Sequence, residues 1–281
     1  MTSVTLALLS FLAFGGSDFC GGLASRRLNV LAVLCLGAPA SLVIETLFLW
    51  AAGGVWSLPA VLWGAASGVA YTFGFGLLYW CLAKGPMSLL SPISATVSAI
   101  IPVTVGIAEG ERLGVTSAIG LVGAILAVSL VSSSARSGSA RASWPVISGA
   151  VGGGLAIAVQ LICLHQAPTD SGAVPLVVGR IVSFVMVFSV AGFVQREPVL
   201  RTGGPVWIGI LSGVLDSAAT VAFLLAVRSG PLAVVAVITA LYPASTVVLA
   251  RFGLREKISR FQLVGMVAAA LSVVLLSIGN A

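Results

Sequence analysis

Mostly apolar stretches of about 20 residues, the length that crosses a bilayer as a helix, recur along the chain with little sequence between them. Cut at charges and at Gly/Pro clusters, ten of them run 4–22, 32–52, 60–82, 87–108, 115–133, 146–166, 173–194, 206–227, 232–250 and 261–279. A domain in water needs a charged surface, typically about a quarter of its residues. Here Asp, Glu, Lys and Arg make up 8% of 281 residues, so the solvent that fits is hydrocarbon. The expected fold is all-α, a polytopic membrane protein of ten transmembrane helices. The first stretch has no Lys or Arg ahead of it and no clear small-residue cleavage pattern, so it is expected to stay as a span rather than be removed as a signal peptide. Cys20, Cys35, Cys81 and Cys163 form no close pair and suggest neither a disulfide framework nor a metal site.

Lys and Arg fix an orientation. Counting connections alternately, one side holds Arg26, Arg27, Lys84, Arg136, Arg141, Arg196, Arg201, Arg251, Arg255, Lys257 and Arg260, and the other only Arg112 and Arg228. A missed or invented span would scatter this asymmetry, which by the positive-inside rule places the basic side in the cytoplasm and both termini outside. Basic loops beside an anionic leaflet account for the net charge of +6 without a nucleic-acid partner. Membrane lipid is the expected surroundings, and the oligomeric state is not determined by the sequence.

Displaced by 145 residues, Gly64–Ser133 aligns with Gly209–Ile278 without a gap. Gly64-x-x-x-Gly68 falls on Gly209-x-x-x-Gly213, Gly85-Pro86 on Gly230-Pro231, Glu111 on Glu256 and Gly120 on Gly265. These residues set geometry: close helix approach, a turn, a charged anchor at a helix end. The organisation is therefore a first five-helix repeat at 1–133, a cytoplasmic linker at 134–145 containing the Ser/Arg/Ala-rich SARSGSARAS, and a second five-helix repeat at 146–281. Five is odd, so the halves enter the membrane from opposite sides. Such an inverted repeat makes two conformations of opposite access nearly interchangeable, which suits a transporter.

Charges inside spans are costly and mark candidate sites. Asp216, in span eight, reads either as a cavity-lining group for a proton or a substrate amine, or as a buried acid bonded to a neighbouring helix; the repeat places Tyr71 at its equivalent. Asp18, in GGSDFCGG, is a second candidate titratable group for proton coupling. Glu45 and Arg180 lie at similar depth, about two turns from the outer ends of spans two and seven, and are candidates for an intramembrane salt bridge. His165 and Asp170 fall at an outer helix end, and Arg228 reads as an outer-loop charge. Ser91, Ser94, Ser98 and Pro102 share one face of span four. Span nine repeats the arrangement with Thr239, Tyr242, Pro243 and Thr246. Pro102 and Pro243 are expected to kink their helices, and the hydroxyls read either as interhelical packing or as a wetted lining. Tyr71, Tyr79, Trp80 and Gln160 complete the candidate substrate cavity. The remaining tryptophans fall near span ends, where an interfacial belt explains them. No P-loop, dinucleotide fingerprint, HExxH or paired-Cys motif appears, so no enzyme activity, cofactor or metal is expected. A channel or a membrane-embedded enzyme is the less favoured alternative.

The ten-span, two-half pattern resembles the EamA-type bacterial exporters of the drug/metabolite transporter superfamily. The local marks are Leu241-Tyr242-Pro243, Leu254-Arg255-Glu256 and Gly265; the first half has Ser98 where the proline would be, with Glu111 and Gly120 in place. The resemblance implies alternating-access export of small metabolites across the bacterial inner membrane. Among these, amino acids including aromatic and hydrophobic ones are the preferred substrates, and drugs or other metabolites the alternative. It also implies that spans five and ten are peripheral to a cavity formed by the other eight.

Overall fold

The computed structural model describes residues 2–111, 114–133, 143–194, 206–254 and 260–279. All regular structure among them is helical: α1 Thr2–Ser25, α2 Val30–Ala52, α3 Leu58–Lys84, α4 Met87–Ala108, α5 Val115–Ser133, α6 Trp144–Gln166, α7 Val174–Val194, α8 Val206–Ser229, α9 Leu232–Ala240, α10 Pro243–Gly253 and α11 Arg260–Gly279. Among the described residues eight stretches are long and apolar enough to cross a membrane, with α9 and α10 together forming one of them. The two others, α5 and α11, carry shorter apolar runs and pack on each other beside the main bundle. Every expected apolar stretch is thus a helix. The lipid-facing requirement shows in the exposed residues, with Leu12, Leu47, Phe73, Val185 and Phe252 among many large apolar side chains turned outward.

Local chemistry explains the ends. Asn29 accepts from the Leu31 N–H at 2.8 Å to start α2, and Ser57 accepts from Ala60 with Pro59 in the first turn of α3. The expected kink in span nine is a full interruption. Leu241 and Tyr242 turn through bonds to Ile238 and Thr239, and Pro243, lacking an N–H, opens a new helix. Pro102 does not interrupt α4, which runs continuously through it and through Pro92.

At one end of the bundle the expected outer connections bind one another. Val55 N–H donates to Asp170 O and Ala173 N–H to Gly53 O, with Gly53 and Gly172 at positive φ. Glu109 holds His165 at 3.1 Å and Gln166, joining the ends of α4 and α6. Arg228, expected in an outer loop, sits in the last turn of α8 and donates to Pro168 O and Ser171 Oγ, tying α8 to the α6–α7 connection. The Glu111 carboxylate takes the N–H groups of Leu232 and Ala233, and so supplies from a distant connection the cap that Pro231 cannot give α9. Glu111→Ala leaves those donors bare and exposes the positive helix end, so it lowers stability by about 1 kcal/mol; thermal unfolding in detergent reads this as a lower Tm. At the opposite end Arg26 donates to Leu82 O and Gly85 O. The repeat-related Glu256 and most of the linker, 134–142, lie outside the described residues.

The main interfaces come in corresponding sets. The first helix packs on α8 as α6 packs on α3; α2 packs on α8 as α7 packs on α3; α4 contacts α6 as α1 contacts α9 and α10. Small residues set the closest of these approaches. Gly68 of α3 lies against the Gly179 backbone of α7, and Gly213 of α8 against the Gly37 backbone of α2.

Candidate functional site

The close α3–α7 and α2–α8 crossings bring three of the intramembrane charges into one buried cluster. Arg180, on α7, donates from Nε to Glu45 Oε1 of α2 at 2.7 Å and from Nη2 to Asp216 Oδ2 of α8. The Tyr71 ring of α3 covers the guanidinium, 4.1 Å from its centroid, a favourable placement for a cation over an aromatic face. Thr220 Oγ1, itself bonded to Asp216 O, receives a longer contact from Nη2. All three ionic side chains are buried. A cavity with about 220 Å³ not occupied by protein atoms adjoins them, lined by Glu45, Tyr71, Gln160, Arg180 and Thr220 with Ser67, Gly68, Gly179 and two leucines. The structure therefore places Asp216 beside Glu45 and Arg180, a third member that sequence depth alone did not assign. Tyr71 and Asp216, equivalent under the repeat, face the same arginine.

A second cavity, with about 330 Å³ not occupied by protein atoms and open solvent included, lies between α1, α3, α4, α6 and α9. Phe14, Asp18, Phe75, Ser98, Ile157, Leu161, Thr239, Ala240 and Tyr242 line it. Its carboxylate is Asp18, which accepts from Ser91 Oγ at 3.2 Å. Its walls are rings: Phe14 stands 6.2 Å from Tyr242 and 6.5 Å from Phe75, centroid to centroid. Polar atoms around it are left without partners. Ser94 Oγ, Thr239 Oγ1 and Tyr242 Oη are buried without a close hydrogen bond, the Ser94 and Tyr242 hydroxyls lying near each other. A buried polar group without a partner costs about 1–3 kcal/mol, so these hydroxyls mark a place suited to polar atoms from elsewhere; Gln160 Oε1, also bare, belongs to the first cavity.

Tyr71, Phe75 and Tyr79 repeat at every fourth position of α3 and so share one face. Their centroids are 4.6 and 5.7 Å apart in succession, a strip of rings running from the arginine cluster to the aromatic cavity. Tyr79 lies over Gly21 with its hydroxyl 3.3 Å from Ser17 Oγ. It also lines, with Tyr71, Arg180, Ser183 and Ser212, a third space of about 340 Å³ between α2, α3, α7 and α8. Trp80 stands apart: it faces Gly149 of α6 and lies under the Lys84 ammonium at 4.3 Å, lining none of these cavities. Ser98 lines the cavity from α4, Pro102 lies one turn further along the same helix, and Pro243 begins α10 directly after Tyr242. Phe14 and Phe75 were not singled out from the sequence; only the spacing of Phe75 between two tyrosines could have shown it. No group of three or more His, Cys, Asp or Glu able to hold a metal occurs among the described residues.

Residues 144–278, which span α6 to α11, match the EamA-like transporter family. The match covers a little under half of the chain and marks that part as similar to EamA-like membrane domains. Comparison with curated proteins gives no match. A solved structure described only as the crystal structure of a protein superposes with a TM-score of 0.69 over 96% of this chain and 98% of its own, at 13% identity. At that identity the likeness is one of fold alone. The family that residues 144–278 match is one of transporters.

Proposed function

We propose that the chain is an alternating-access exporter of amino acids, aromatic and hydrophobic ones included, acting in a bacterial inner membrane with its basic loops in the cytoplasm. The observation that carries this reading is the cavity between α1, α3, α4, α6 and α9, where one carboxylate, aromatic walls and unpaired hydroxyls converge. Asp18 matches an α-ammonium group. Phe14, Phe75 and Tyr242 match an apolar or aromatic side chain, since ring pairs gain from edge and offset contacts. The free hydroxyls of Ser94, Thr239 and Tyr242 supply donors for the substrate carboxylate. The matched pairs of helix interfaces support two halves related as inverted repeats, and their glycine crossings support rocking of one half on the other. The same carboxylate and rings also suit a lipophilic amine, the second reading, which leaves the hydroxyl donors unused.

Uptake of labelled phenylalanine and leucine into proteoliposomes tests the reading. Saturable uptake, competed by other amino acids and not by simple amines, is the expected result; folded protein that moves neither amino acid overturns it. Asp18→Asn removes a charge-assisted bond worth about 1.5–3 kcal/mol and therefore raises KM by roughly ten- to a hundredfold. Unchanged KM in this variant would remove Asp18 from the site.

A further inference from the structure

Glu45, Arg180 and Asp216 set two carboxylates against one guanidinium in the interior of the bundle. Each carboxylate spends one oxygen on Arg180. The other oxygens, Glu45 Oε2 and Asp216 Oδ1, are buried and make no close hydrogen bond, with the neutral hydroxyls of Ser217 beside Glu45 and of Tyr71 beside Asp216. The cluster therefore sets two carboxylates against one cation among buried side chains, with one negative charge in excess. The groups facing it bring no positive charge to offset this. From α3 come Tyr71 and Tyr79, from α8 the hydroxyls of Ser217 and Thr220, from α6 the neutral Gln160, and from α1 Asp18, which adds only further negative charge. A metal cation is a poor answer, because hard cations take six or more oxygens and the arginine already occupies the carboxylates' inner edge. A single proton on one of the two outer oxygens neutralises the excess charge.

We propose that Glu45, Arg180 and Asp216 form a proton-binding site through which the proton gradient drives transport, a role resting on the transporter reading above. In the closed bundle one proton resides on Glu45 Oε2 or Asp216 Oδ1, and it is released when opening of the adjoining cavity admits water to the cluster. The site lies where α2 and α8 cross at Gly37 and Gly213 and where α3 and α7 cross at Gly68 and Gly179. Motion at either crossing changes its hydration. Removing either carboxylate leaves a balanced Arg–carboxylate pair, so each single neutralisation abolishes proton binding.

Infrared pH-difference spectra of the purified full-length protein test the site without substrate. The wild type shows a protonated carboxylic-acid band that both Glu45→Gln and Asp216→Asn lose and Asp18→Asn keeps. Absence of the band in the wild type, or its survival in both cluster variants, overturns the proposal. In proteoliposomes, a pH gradient stimulates wild-type phenylalanine uptake over gradient-free counterflow, and this ratio falls to one in both cluster variants. Counterflow without stimulation in the wild type sinks the coupling while leaving the transporter intact, and absence of counterflow in folded protein sinks the transporter reading itself.

Discussion

Arg180→Met lowers the stability of the folded bundle by about 3–5 kcal/mol, the loss expected when one partner of a buried ionic group is removed. The magnitude follows from what remains. Glu45 and Asp216, both fully buried, are left facing each other across the vacated guanidinium, with their bonds at Nε and Nη2 lost. Tyr71 also loses the cation over its ring. Adding Glu45→Gln and Asp216→Asn to Arg180→Met recovers much of the loss, because the penalty comes from stranded charge and not from missing volume. Denaturant unfolding in detergent, followed by tryptophan fluorescence, measures both. Equal stability of Arg180→Met and the wild type would show that the cluster is not dry.

The second large effect is steric. A Cβ added at Gly68 falls 2.2 Å from Gly179 O, and one added at Gly213 falls 2.4 Å from Gly37 O and 2.5 Å from its Cα. These neighbours are backbone and cannot swing aside, so the helices must separate. Gly68→Ala and Gly213→Ala each cost about 1–3 kcal/mol by overpacking, even though alanine favours a helix by about 1 kcal/mol over glycine. Separation also pulls Arg180 on α7 away from Tyr71 on α3, or Asp216 on α8 away from Glu45 on α2, so transport falls further than stability. Gly192→Ala is the control: its added Cβ meets nothing within 4 Å, and it leaves stability unchanged or slightly raised. The same unfolding assay, with phenylalanine uptake beside it, separates these outcomes.

Helix positions were legible because a span must be apolar for the whole thickness of the bilayer, and the connections here are short and charged. Depth was legible too: Glu45 and Arg180 lie the same distance from their helix ends, and the structure puts them 2.7 Å apart. Rotation of a helix about its axis was not legible, because apolar residues cover every face. Asp216 could be given a depth but no direction, and its bond to Arg180 followed only from the α2–α8 crossing. Phe14 and Phe75 line the aromatic cavity with the same side chain that elsewhere faces lipid, as Phe73 does. Trp80 shows where helix geometry could have corrected the reading. It is the immediate neighbour of Tyr79, turned about 100° around α3, so the two rings cannot share a face. The division of span nine at Tyr242-Pro243 was legible as a kink, since proline's missing donor is written in the sequence. Its completion into a break depends on the turn at Leu241.

The most direct measurement is thiol labelling of Ser94→Cys and Thr239→Cys from each side of the membrane. The background replaces Cys20, Cys35, Cys81 and Cys163 and is confirmed to transport. Thr239 lines the proposed substrate cavity and Ser94 lies beside Tyr242, which also lines it, and both carry buried hydroxyls without a close hydrogen bond. The account predicts reaction with a membrane-impermeant reagent from the cytoplasmic face and, in a different phase of the cycle, from the outer face, with phenylalanine protecting against both. Thiols that stay unreactive from both faces while the protein transports would contradict it, since the cavity would then be sealed packing and the substrate's path would lie elsewhere.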